Sequence, residues 1–343
     1  MHRCDPAVMA VYQKKEPAVQ QKNAGVMMDF SLSYDILPAA FLLDLLIGDP
    51  RFAHHPVRYM GKSIEAAEPF FRRLPVNAKI SGGLFALCLI PAVWLITALI
   101  LTVSAGIHPL FNKGLEILLV YFCISCRGLE SAAMEIHGIL RRDSLQKARE
   151  KLAMIVGRDV RHLSEKAVAR ASVETVAENL VDGVISPLFF LLIGGIPLMM
   201  TYKMVNTLDS MVGYKNEKYR DFGMISARTD DIANYLPARI SLIFISLAAQ
   251  ILKRKGKQAF EKGRKEGRRH ASPNAGFPEA AFAGALEIKL GGPNIYHGKV
   301  VDKPFIGENY REVRVRDIPR ACDLMLLSSL LFCLAVWGTA FFI

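Results

Sequence analysis

The 343-residue sequence predicts an all-α, polytopic integral membrane protein with about four or five hydrophobic segments, some of them broken or re-entrant. Three apolar runs carry that expectation. Residues 80–107 are 28 positions without a charge or a histidine, and residues 183–202 and 324–343 add 20 each. About 20 apolar residues of helix cross the roughly 30 Å of bilayer hydrocarbon, and a soluble core seldom needs three such runs. Hydrophobic residues make up 52% of the chain, which excludes a disordered polymer, and six Cys exclude a disulfide-stapled scaffold.

Residues 1–28 are polar, lack a small-residue cleavage site and read as a disordered leader; residues 29–343 read as a single membrane-embedded domain. Residues 36–47 are apolar but short and interrupted by Asp44, the pattern of a membrane-edge helix or weak span, and Gly48-Asp49-Pro50 breaks it. Residues 51–79 carry six Lys/Arg and read as cytoplasmic. Residues 80–105 form the clearest transmembrane helix, and 115–126 a second span that gains length by continuing past Arg127. From 128 to 180 apolar residues recur at helical spacing with charges on the other faces, which predicts amphipathic helices outside the bilayer. The run 183–202 is long enough to cross once. Pro187 and Gly194-Gly195-Ile196-Pro197 instead predict a broken helix or a hairpin, which at membrane depth borders a cavity because its freed backbone groups need partners. Residues 240–252 are too short alone and must borrow 232–239; residues 324–343 are the last span.

The net charge is +11, and its excess is concentrated in residues 253–269, with nine Lys/Arg against two Glu. Beside membrane spans this is a cytoplasmic loop obeying the positive-inside rule. Phe260 is the one aromatic residue among those charges, so no stacking platform for bases exists and nucleic acid is excluded as a partner. Cys123 and Cys126 form a C-x-x-C, but at the end of an apolar helix without a second pair, so they read as small hydrophobes. Gly61-Lys62-Ser63 resembles the tail of a P-loop, yet Pro56 stands where its first glycine belongs.

Polar candidates cluster beside the spans. Glu174, Glu178 and Asp182 are spaced i, i+4, i+8, a row of carboxylates on one helix side pointing toward the membrane, with Asn179 adjacent. Such a row suits a hard cation such as Mg²⁺, so these three are the candidate metal ligands. Between two apolar runs, residues 206–239 gather Asn206, Asp209, Lys215, Arg228, Asp230, Asp231, Asn234 and Arg239. Arg228 and Lys215 suit phosphate or carboxylate, Arg by its fork geometry, and Asp230-Asp231 suit a metal. Residues 272–292 open with the turn Ser-Pro-Asn-Ala-Gly and continue as a small-residue helix, offering Asn274 and Glu279; residues 48–61 offer Asp49, His54, His55 and Arg58. A solvated helix face and a generic charged loop are the competing readings.

Taken together, Gly48-Asp49-Pro50 with His55-Pro56-Val57-Arg58, SVETVAENLVDGVISPLFF from Ser172, NTLDSMVGYKN from Asn206, ARTDDIANYLPAR from Ala227 and SPNAGFPEAAFAGAL from Ser272 resemble the CobD/CbiB family of cobalamin biosynthesis, over about residues 34–343. Phe277 departs from the expected Trp. The resemblance implies an adenosylcobinamide-phosphate synthase, joining (R)-1-aminopropan-2-ol or its O-phosphate to the propionate carboxyl of adenosylcobyric acid. It also implies ATP and Mg²⁺, the bilayer of the cytoplasmic (inner) membrane as setting, and an active site facing the cytoplasm. No nucleotide-binding signature is visible. Under this reading Glu174, Glu178, Asp209, Asp230 and Asp231 are the catalytic candidates. Asp49, His55, Arg58, Asn179, Asn206, Lys215, Arg228, Arg239, Asn274 and Glu279 are the candidates for substrate binding. A transporter and a non-catalytic AmpE-like membrane sensor are the alternatives. The shared site requires residues 206–231 to be cytoplasmic, with fewer complete spans than apolar runs.

Overall fold

A computed structural model describes residues 35–49, 55–142, 144–214, 216–296, 299–301 and 303–339; the leader expected over 1–28 lies outside them. Helix α1 (Ile36–Ile47) contains the interrupting Asp44, which turns out to be a cap. Its Oδ2 accepts the backbone N–H groups of Cys126 at 2.9 Å and Arg127 at 3.3 Å, satisfying the exposed end of a helix whose own N-cap residue supplies no side-chain bond. Helix α2 (Pro56–Arg72) starts with Pro at its first turn, and His55 Nδ1 accepts the Val57 N–H. Helix α3 (Ala78–Ile107) is capped by Asn77 and turns Leu87, Leu95, Leu99 and Val103 outward, as a lipid-facing helix does. The second span does continue past Arg127, after a break: α4 (Pro109–Cys123) stops at Ile124, and α5 (Cys126–Leu140) resumes.

Helix α6 (Leu145–Leu152) precedes α7 (Glu165–Leu180). The latter corrects the amphipathic expectation. Residues 171–177 are all buried, because α7 packs against α5, α12 (Gly276–Leu286) and α13 (Asp317–Thr339) rather than facing water. A π-helical turn (Val181–Ile185) joins α7 to α8 (Ser186–Val212).

Within α8 the helix breaks at Gly194 and Gly195, where Gly195 has φ +66° and ψ −164°, a region essentially reserved for glycine. The chain reverses there. Ser186 Oγ and Tyr202 OH, on opposite sides of the break, both donate to Asn234 Oδ1, at 2.5 and 2.9 Å. Phe190 stacks on Tyr202 at 5.1 Å, and Tyr202 OH reaches the Asp182 carbonyl at 3.5 Å. The expected hairpin is therefore present. From Asp182 to the bend is 12 residues, about 18 Å of helix, which is roughly half the bilayer hydrocarbon.

Beyond a loop come α9 (Met224–Ala233) and α10 (Tyr235–Lys253). The basic segment is not a loop: it forms α11 (Gly256–Glu266), which turns back along α10. A Cβ on Gly263 would press on Leu242 Cδ2 of α10 at 2.5 Å and stand 3.3 Å from Ala281 Cβ of α12, so glycine eases this close approach. Helix α10 thus has a basic helix on one flank and an exposed apolar stripe, Leu236, Ile243, Leu247 and Ile251, elsewhere on its surface.

Residues 290–306 form two nested antiparallel pairs that the helical reading did not anticipate. Strand β1 (Leu290–Gly291) pairs with β4 (Phe305–Ile306), and β2 (Asn294–Tyr296) with β3 (Lys299–Val301). Helix α13 then starts at Asp317, which accepts from Arg311, Arg314 N–H and Arg320. Among the described residues five helical stretches are long and apolar enough to cross a membrane, 78–107, 109–140, 165–212, 224–253 and 317–339, so this is a multi-pass membrane protein. The third of them is the hairpin.

Candidate functional site

The hairpin brings its two arms back to one level, and the acids of three distant motifs meet there. A cavity of about 320 Å³ is lined by Glu178 from α7, Asp182 from the π turn, Asp209 from α8 and Asp230 and Asp231 from α9. Its opposite wall is the turn before α12, with His270, Ser272 and Asn274, together with Lys303 from the β segment. Five carboxylates thus face one lysine and one histidine. A second cavity of about 150 Å³ lies beside it, lined by Arg158, Glu174, Glu178, His270, Glu279, Asn294 and Lys303. Glu178, His270 and Lys303 belong to both linings and form the wall between them.

Each acid is positioned differently. Asp230, 9% exposed, accepts from Asn206 Nδ2 at 3.3 Å and Asn234 Nδ2 at 3.0 Å. Asn234 is in turn held by Ser186 and Tyr202, so the hairpin clamps the orientation of Asp230. The Asp231 carbonyl accepts Asn274 Nδ2 at 2.7 Å, tying α9 to the turn before α12. Arg239, stacked on Tyr235 and Phe277, donates to Asn274 Oδ1. Arg239 and Asn206 therefore line neither cavity and hold residues that do.

The row Glu174–Glu178–Asp182 is divided between the two cavities. Glu174 is buried, accepts from Arg158 Nη2 and from the Gly291 N–H at 2.7 Å, and faces the smaller cavity. Glu178 is accessible on the shared wall, and Asp182 faces the larger cavity. Around the smaller cavity, burial and then Glu174 and Glu178 push the Glu279 carboxyl well above the usual carboxylate range. Burial, and then Lys303, hold the His270 imidazole below its ordinary value. His270 Nε2 stands 3.9 Å from Glu279 Oε1, while its Nδ1 accepts the Ser272 N–H at 3.0 Å.

The other expected residues lie elsewhere. Asp49 and His55 pair at 3.2 Å outside both cavities, and this bond, with Lys203 and Arg58 contributing less, keeps the Asp49 carboxyl below its ordinary range. Asn179 donates to the Thr175 carbonyl of its own helix. Arg228 is exposed and lines neither cavity. Lys215 and His54 fall outside the described residues.

Sequence reasoning missed Arg158, His270 and Lys303. His270 stands two residues before Ser-Pro-Asn-Ala-Gly, so it had a local signal. Arg158 and Lys303 had none, since only tertiary folding brings them to the acids.

A family model described as CobD/Cbib protein matches residues 37–325. A protein named "Cobalamin biosynthesis protein CbiB" from Salmonella typhimurium is 46% identical over 295 residues, covering 85% of this chain and 92% of its own. "Cobalamin biosynthesis protein CobD" from Klebsiella pneumoniae is 46% identical over 293 residues, covering 84% and 92%, and that from Citrobacter koseri is 47% identical over 295, covering 85% and 92%. No solved structure matches the chain significantly.

Proposed function

The chain belongs to the CobD/CbiB family, and on that premise we propose that it acts in cobalamin biosynthesis as an amide-forming ligase. It joins the propionate carboxyl of adenosylcobyric acid to the amine of (R)-1-aminopropan-2-ol or its O-phosphate, with ATP as the activating substrate. The observation that carries this reading is the convergence of five carboxylates on one cavity at the open end of the hairpin. Such a site concentrates cations, both an ammonium and a hard divalent metal.

The chemistry calls for both. A carboxylate is inert to amines near neutral pH, so its oxygen first attacks a phosphoryl group of ATP, and the nucleotide leaves with the electron pair of the broken P–O bond. The amine nitrogen then forms the C–N bond as the acyl C–O bond breaks and phosphate departs. One carboxylate of the cavity takes the ammonium proton that frees the nucleophile. The corrin ring is larger than the cavity, so the reacting arm enters and the ring stays outside.

The donor set fits Mg²⁺, being oxygen-only, with Asp182, Asp209 and Glu178 on accessible walls. No three His, Cys, Asp or Glu among the described residues converge as a ready-made metal cage, but Mg²⁺ ordinarily takes one or two carboxylates and completes its shell with phosphate and water. When bound it neutralises charge developing on the transferring phosphoryl group.

The deciding assay uses purified full-length protein with adenosylcobyric acid and each amine, with and without ATP and Mg²⁺, read by mass spectrometry. Amide product is expected in the complete mixture and not without ATP. Its absence with both amines would overturn the reading.

The site is assigned to the cytoplasmic face, where ATP and corrinoid occur. The basic stretches support this, since residues 253–269 lead directly into His270, and Arg72 of the basic stretch 51–79 donates to the Lys218 carbonyl in the loop between α8 and α9. A cysteine in place of the exposed Glu217, with native Cys removed, should resist an impermeant thiol reagent in intact cells and react after permeabilisation. Labelling from outside would reverse the orientation.

A further inference from the structure

Lys203 lies on α8 within the apolar stretch 165–212 and is only 8% exposed. Among the described residues its ammonium makes no hydrogen bond and no ion pair. The helix around it is intact, with Thr207 Oγ1 donating to the Lys203 carbonyl at 2.6 Å. The neighbours of Lys203 on the helix place it beside the acids: Tyr202 reaches the Asp182 carbonyl and bonds Asn234, and Asn206 donates to Asp230, while Asp49 of the α1–α2 junction also feels its charge. No acceptor among the described residues meets its three N–H donors. An ammonium on a side chain this buried, with its N–H groups open and no protein partner for them, is set to take an anionic one.

We infer that Lys203 binds a substrate oxyanion, a carboxylate or phosphoryl oxygen that enters between the acidic cavity and the Asp49–His55 pair. The inference rests on the ligase reading and extends it. Two cationic poles then flank the carboxylates: Lys303 in the wall between the cavities, and Lys203 on the side of Asp49. Acyl activation demands this arrangement, because two anions must meet around bound cations without repelling each other. A lysine suits the task as a point charge whose three donors reorient while the carboxylate becomes an acyl phosphate.

The test compares Lys203→Met and Lys203→Arg with the parent protein, full-length and in detergent, by equilibrium binding of four probes. These are adenosylcobyric acid, the same corrinoid with that arm already an amide, ATP, and aminopropanol phosphate. Lys203→Met should weaken one oxyanion probe by about 10- to 100-fold, the range of a charge-assisted hydrogen bond, with Lys203→Arg retaining part of the affinity. A loss confined to adenosylcobyric acid, with its capped form unchanged, identifies the substrate carboxylate; a loss confined to ATP or to aminopropanol phosphate identifies a phosphoryl oxygen.

Unchanged affinity for all four probes would overturn the inference. So would an equal loss for the acid and its capped form that Asp182→Asn restores in the double variant, which marks an internal counter-ion. If the parent protein binds the oxyanions yet forms no amide, the ligase reading fails while the Lys203 assignment stands on the binding data.

Discussion

Glu178→Gln is expected to reduce amide formation by at least about 100-fold, the scale on which removing one preorganised charged group acts. Glu178 stands in the wall shared by the two cavities, accessible to both, and none of the described residues makes an ion pair or hydrogen bond with its carboxylate. Gln keeps the shape and removes the charge, so folding and membrane insertion should be unaffected. Glu174→Gln, one turn earlier, gives a contrasting result. Its carboxylate is engaged by Arg158 and the Gly291 N–H, and breaking a buried pair by removing one partner costs about 3–5 kcal/mol. That variant should lose thermal stability along with turnover. Melting temperatures and turnover of purified proteins separate the two cases. Near-normal turnover in Glu178→Gln would remove the shared wall from the chemistry.

That contrast also marks how far the sequence could be read. The i, i+4, i+8 spacing located three acids near one another, but it could not divide them between cavities. The π turn at Val181–Ile185 adds a residue to the helical turn and swings Asp182 toward α8 and α9. Local signals succeeded where backbone chemistry is local: Gly194-Gly195 produced the bend, and Ser-Pro-Asn-Ala-Gly the turn before α12. Burial was harder to see. Helix α7 has an amphipathic pattern, yet its charges are not all wet: Glu174 is paired with Arg158, which reaches it from a loop. The β segment eluded period-two reading because its strands are two or three residues long. Lys303 is carried there, so the cationic wall opposite the acids was out of reach of any motif.

Gly195→Val is expected to abolish activity by a different route, through the hairpin itself. At φ +66° and ψ −164° a β-branched residue is strained by roughly 1–3 kcal/mol or more. The alternative open to the chain is to continue as helix. A straight helix over 165–212 would be about 72 Å long, more than twice the hydrocarbon thickness. Asp209 would then be carried far from Glu178 and Asp182, and Asn234 would lose either Ser186 or Tyr202. Gly106→Val provides the control, since a Cβ at Gly106 meets nothing within 4 Å and its φ is not positive. The bend can be read directly by placing cysteines at Phe190 and Tyr202, whose rings stack at 5.1 Å across it, in a Cys-free background. A short bifunctional maleimide should link them in the parent and in Gly106→Val, but not in Gly195→Val, which should also make no detectable amide. Full cross-linking with normal turnover in Gly195→Val would show that Pro197 and the packing of the arms enforce the reversal without this glycine. The strain argument would then fail, although the meeting of the acids at the hairpin's open end would not.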